Sequence, residues 1–134
     1  MKVHWLDTNV ILRYLLADRR QHGLKARSLL KEAQQGRCTL KVAPFIVAEL
    51  VYVLESKSYS RTEIFEGLKV LDGLRGIEFT SGREVFEALL EYRDKGADFA
   101  DALLMAFARS AGEAVVTFNG RHFKRLAGEW TEPR

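Results

Sequence analysis

The feature that most constrains this chain is an alternation: short β-forming runs are separated by longer runs of helical character. Lys2 to Leu6 predicts a strand and Thr8 to Leu16 a helix. Gln21 to Gln35 predicts a second helix, stopped at Gly36. Thr39 to Ala43 reads as the next strand, and Pro44 suits the first turn of a helix running to about Glu55. Ser60 or Thr62 can cap a helix through Leu74, which Gly76 closes. Ile77-Glu78-Phe79 predicts a third strand. Ser81 caps a helix over Val85, Phe86, Leu89 and Leu90 that ends at Gly96, and another helix spans Asp98 to Ala111 before Gly112. Ala114 to Phe118 predicts a fourth strand, then a short helix around His122 to Leu126 and a short polar tail from about residue 128. Strands separated by helices need crossover connections, which implies an α/β fold with a parallel sheet covered on both faces. Such sheets bind ligands beyond the carboxyl ends of their strands.

At 134 residues, with no repeat, linker or low-complexity stretch, the chain predicts one domain over 1–134. No apolar run approaches the roughly 20 residues of a membrane helix, so no membrane role is expected. Asp7 comes too early for a signal peptide. The single cysteine, Cys38, excludes a disulfide framework or a cysteine zinc knuckle and points to a reducing, cytoplasmic setting. With 21 basic against 18 acidic residues the net charge is +3, which permits a nucleic-acid partner without requiring one.

Acids stand where apolar residues are expected. Glu49 is the only charged side chain from Ala43 to Leu54, and Asp98 and Asp101 are the only ones from Asp98 to Ala108. Asp7 separates the apolar strand from the apolar helix. Every face of these elements is needed for a core, so the acids are expected to be buried and must have a partner. Arg13 near Asp7 and Arg109 beyond Asp101 are the nearest cations; a divalent ion is the more economical partner, because magnesium and manganese prefer oxygen ligands. Gathered at one end of the sheet, with Asn119 after the fourth strand, the acids form a pocket suited to metal-assisted chemistry on phosphate. Each residue also has a plain structural role open to it. Asp7 can cap a helix, Glu49 can pair with Lys57 or Arg61, Asp98 and Asp101 can be N-cap and N3 of one helix, and Asn119 can simply turn the chain.

Other chemistries lack their residues. Neither a dinucleotide nor a P-loop glycine pattern occurs, and there is no G-x-S-x-G elbow. His4, His22 and His122 are scattered and read as structural or surface residues, and Cys38 as packing.

The runs Leu6-Asp7-Thr8-Asn9-Val10-Ile11-Leu12-Arg13-Tyr14-Leu15-Leu16, Val47-Ala48-Glu49-Leu50-Val51-Tyr52-Val53-Leu54, Asp98-Phe99-Ala100-Asp101-Ala102-Leu103-Leu104 and Val116-Thr117-Phe118-Asn119 follow in an order that carries a resemblance. With them the chain resembles the PIN domain family, and more narrowly the VapC-type toxins of prokaryotic toxin–antitoxin pairs. That resemblance implies a three-layer α/β/α sandwich about a central parallel sheet. It implies that Asp7, Glu49 and Asp101 bind magnesium or manganese, with Asp98 as an auxiliary acid. Where the family usually has a fourth aspartate this chain has Asn119, whose amide oxygen can ligate or orient but carries no charge. Thr8, Asn9, Thr117 and Asn119 resemble residues that orient the acids or the substrate.

The activity implied is metal-dependent endoribonuclease cleavage of structured RNA such as tRNA or ribosomal RNA, by in-line attack of activated water on a phosphodiester. Arg13, Lys124 and Arg125 flank the motifs and are candidate phosphate contacts, or plain solvated charge. The resemblance also implies a cognate VapB-like antitoxin, docking an amphipathic helix in an apolar groove, and a homodimer. Three rivals stand beside it. One is a PIN-like module that binds RNA or protein without cutting, which Asn119 keeps open. A phosphatase of the haloacid-dehalogenase kind would want an aspartate where Asn9 stands. A DNA nuclease of related fold leaves no distinguishing motif.

Overall fold

The computed structural model describes residues 2–134, and the chain forms two compact units, Met1–Ser81 and Gly82–Arg134. The first unit runs β1 (Lys2–Trp5), α1 (Thr8–Leu15), α2 (Gln21–Gln34), β2 (Cys38–Val42), α3 (Pro44–Ser56), α4 (Arg61–Asp72) and β3 (Ile77–Phe79). Its strands are parallel in the order β1-β2-β3, with Lys2 opposite Cys38 and Leu40 opposite Ile77. β2 is central, and Leu40, Val42, Ile77 and Phe79 form the buried face. α2 packs on β2 and β3, α4 on β3, and α1 on α2 and α3. β1 is an edge strand. All four of its residues are exposed, Val3 and Trp5, on the face opposite to Leu40, at 52% and 60%. The Trp5 ring instead seats the Lys41 ammonium, 5.4 Å from its centroid.

Local chemistry explains most boundaries. Pro44 opens α3 at a position where a missing N–H costs nothing. Ser60 and Glu63 form a reciprocal capping box on α4: the Glu63 N–H donates to Ser60 Oγ at 3.1 Å, and the Ser60 N–H donates to Glu63 Oε1 at 2.9 Å. α4 stops at Asp72 with Gly73 as its cap, earlier than the sequence suggested. Gly76 serves the turn into β3 instead. Its φ is +86°, and a Cβ there would lie 2.4 Å from the Ala33 carbonyl oxygen, so only glycine fits.

The second unit runs α5 (Gly82–Lys95), α6 (Phe99–Ser110), β4 (Val115–Val116), α7 (Gly120–Phe123) and β5 (Trp130–Thr131). α5 and α6 pack as a hairpin around Leu89, Tyr92, Phe99, Ala102 and Met105, with the Tyr92 and Phe99 rings edge to face at 6.2 Å. A buried carboxylate ties its end down. Glu91 accepts from the Ala127 N–H at 3.0 Å and pairs with Lys95 and Arg109, each at 3.4 Å.

The α/β class and the parallel pairing are as expected, but the strands are divided between two sheets, one in each unit. β4 pairs in parallel with β5, which lies in the stretch expected to be a polar tail. Packing explains the correction: the six-membered ring of Trp130 lies against Gly120, where a Cβ would come within 2.2 Å of it. One aromatic among polar neighbours leaves no periodic signal, and its partner is ten residues away. The helix near His122 likewise starts at Gly120 and stops at Phe123. Among the described residues no helix is long and apolar enough to cross a membrane.

Candidate functional site

In the first unit, Asp7 follows β1 and caps α1, its Oδ1 accepting from the Thr8 N–H at 2.9 Å. Thr8 is buried, and its hydroxyl donates to Glu49 Oε2 on α3 at 2.6 Å. One threonine thus joins the helix that Asp7 starts to the carboxylate of α3. Asn9, the next residue, lines open grooves on both sides of Arg13. Arg13, the nearest cation to Asp7 in sequence, is committed elsewhere and pairs with Asp18 at 2.5 Å. Asp18 also accepts from the Arg20 backbone N–H and Nε at 2.9 and 3.1 Å. The Arg20 guanidinium first, then its backbone N–H and Arg13, hold the Asp18 carboxyl well below the usual carboxylate range, and Arg20 is raised in turn.

The expectation that these acids are buried is not met. Asp7, Glu49 and Asp98 are exposed and Asp101 is half-buried. Not every apolar face of these helices is core. On α3, Phe45 and Tyr52 lie four residues before and three after Glu49, and they are 65% and 74% exposed. On α6, Leu104, three residues after Asp101, is 53% exposed. Each helix has an apolar face that stays in contact with water, and the acids sit on it.

In the second unit, Asp98 caps α6, its Oδ2 accepting from the Asp101 N–H at 3.0 Å. Burial pushes the Asp101 carboxyl up, the neighbouring Asp98 charge pushes it further, and His122 opposes both. His122 Nδ1 lies 3.7 Å from Asp101 Oδ2. From sequence His122 is only a structural or surface residue, since nothing local links positions 21 residues apart. Arg109 points away to Glu87 and Glu91. The Thr117 hydroxyl accepts from the Asn119 N–H at 2.9 Å, and the Asn119 side chain, which makes no capping bond, is exposed at the start of α7. Lys124 lines a groove with Asn119 and His122, whereas Arg125 reaches the Lys95 carbonyl at 3.4 Å.

Two carboxylates are therefore available in each unit, Asp7 with Glu49 and Asp98 with Asp101. Among the described residues none of the four is paired with lysine or arginine. Within neither unit do three or more His, Cys, Asp or Glu side chains gather as a metal cluster among those residues. Oxygen donors in ones and twos are nonetheless a donor set that suits magnesium or manganese, which keep several waters and take one or two carboxylates with substrate phosphate oxygens. The residues present fit such an ion.

The PIN domain family model matches residues 5–129, and the chain belongs to that family. Solved structures that match include the crystal structure of VapBC2 from Rickettsia felis bound to a DNA fragment from their promoter. That likeness has 21% sequence identity and a TM-score of 0.40, and it covers 98% of this chain and 99% of that one. No curated protein matches the chain.

Proposed function

We propose that the chain is a divalent-metal-dependent endoribonuclease of the VapC type, acting in the cytoplasm on structured RNA such as tRNA or ribosomal RNA. Asp7, Glu49 and Asp101 are the metal-holding carboxylates in this reading, with Asp98 as auxiliary. A bound magnesium or manganese ion supplies Lewis acidity, which activates water and offsets charge on the phosphate. Thr8 orients Glu49 through its donated hydrogen bond, and Asp98 and Asp7 hold their helix starts while keeping a carboxylate toward solvent. Asn9, Thr117 and Asn119 orient substrate, and Arg13 and Lys124 offer positive charge to the RNA backbone. Of the proposed contacts Arg13 and Arg125 are the weaker, because the Arg13 guanidinium is paired with Asp18 and that of Arg125 is used on a carbonyl. A VapB-like antitoxin and a second copy of the chain complete the reading.

One observation carries it: four carboxylates are left without a lysine or arginine partner while Arg13 and Arg109, the cations placed to neutralise them, are paired with other acids. The test is cleavage of total RNA with and without magnesium by the wild type, Asp7→Asn and Asp101→Asn. Cleavage that needs magnesium and is lost in both variants is expected; undiminished cleavage by both removes these acids from the chemistry. Magnesium titration separates the rival, since a module that binds without cutting loses no metal binding when Asp7 is changed.

A further inference from the structure

The second unit contains a groove of about 270 Å³ lined by Asn119 and Lys124, which meet the substrate in the reading above, and also by Phe118, Arg121, His122, Trp130 and Glu132. Phe118 is 80% exposed, more than any other large apolar side chain among the described residues. Trp130 is held in place by its packing on Gly120. Arg121 and Lys124 make no ion pair among the described residues, and together they outweigh the single acid, Glu132. His122 connects the groove to Asp101, 3.7 Å away.

We propose that this groove takes one unpaired nucleotide of a polynucleotide strand, its base stacked on Phe118 and its flanking phosphates on Arg121 and Lys124. Only the identification of that strand as substrate rests on the nuclease reading. An apolar peptide would cover Phe118 and leave two cations unmatched, whereas a nucleotide brings a π-face and negative charge together. Stacking and phosphate contacts ignore the 2′-hydroxyl, so RNA and DNA single strands are expected to bind alike. A duplex buries the faces of its bases and is expected to bind more weakly.

The test is fluorescence anisotropy on the full chain carrying Asp7→Asn, in chelator, with a labelled RNA of about eight nucleotides, the same DNA sequence and an RNA duplex. Adding Phe118→Ala is expected to weaken single-strand binding roughly tenfold, and Phe118→Trp to retain it. Arg121→Ala and Lys124→Ala should each lower the slope of log affinity against log salt by about 0.7. Equal affinity with and without the Phe118 ring, or a duplex bound as tightly as a single strand, overturns the groove. A wild-type protein that cuts RNA while Phe118→Ala leaves affinity unchanged sinks the groove and spares the nuclease. Binding through Phe118 by a protein that cuts nothing supports the groove and sinks the nuclease.

Discussion

The Thr8 hydroxyl donates to Glu49 Oε2 across 2.6 Å and 41 residues of sequence, joining the first turn of α1 to the middle of α3. Thr8 is buried while Glu49 is exposed, so the bond fixes which way an otherwise mobile carboxylate points. Thr8→Val keeps the shape and removes the donor. If Glu49 holds the proposed metal, activity is expected to fall roughly 10- to 100-fold, the usual effect of losing a residue that orients a metal ligand. Stability should drop by only about 1 kcal/mol, because water can replace the bond at Glu49. Thr8→Ser restores both. Cleavage rates against magnesium concentration, with urea unfolding alongside, check this; a Thr8→Val enzyme as fast as wild type refutes it.

Asp98 combines a cap with a free carboxylate, and two substitutions separate these roles. Asp98→Ala loses the oxygen that accepts from the Asp101 N–H and should cost about 1 kcal/mol. Asp98→Ser keeps a capping oxygen without the charge, so stability should stay within a few tenths of a kcal/mol. If Asp98 assists metal binding, both variants need more magnesium for half-maximal cleavage, although only one is destabilised. Equal magnesium dependence in wild type and Asp98→Ser would leave Asp98 a cap alone.

Asp101 is pushed up by burial first and by Asp98 second. A carboxyl with a raised folded pKa penalises the ion-free fold when it is ionised. The penalty is complete above the folded pKa, lifts as pH falls through it, and is gone below the unfolded value, 3.8. Asp101→Asn should therefore be more stable than wild type without metal at pH 7, and the advantage should vanish in acid. In wild type, magnesium binding should weaken on acidification at a higher pH than for an ordinary aspartate, since protons compete for the same oxygen. Urea unfolding from neutral pH to pH 3 in chelator is the measurement, and a difference that grows toward acid contradicts it.

Glu91 is the most deeply buried acid, at 8% exposure, and holds the Ala127 N–H, Lys95 and Arg109 at once. Glu91→Ala leaves the Ala127 N–H without its acceptor and two cations short of charge, and should cost about 1.5–3 kcal/mol, the range for a hydrogen bond to a charged group. Glu91→Gln, which keeps one acceptor oxygen, should lose less. Thermal unfolding followed by tryptophan fluorescence would report this through Trp130, and a neutral Glu91→Ala rejects the tie.

Much of the fold was legible because its signals are local. Proline at N1, the Ser60–Glu63 box and the Asp98 cap each act within one helical turn, and caps, breakers and periodicity together located the helices of the described residues to within a few residues. The candidate acids were legible as interruptions of apolar runs. Their setting was not: an apolar face looks the same in sequence whether it packs into a core or, like Phe45 and Tyr52, stays wet.

The order of amino acids by itself determined the family, the strand–helix alternation and the identity of the candidate carboxylates, since each depends on residue type and short spacing. Tertiary structure alone decided that β4 pairs with β5, that Thr8 holds Glu49, that His122 approaches Asp101, and that Arg13 and Arg109 serve other acids. Those outcomes depend on which distant groups come within a few ångströms. Spacing along a chain carries no record of that.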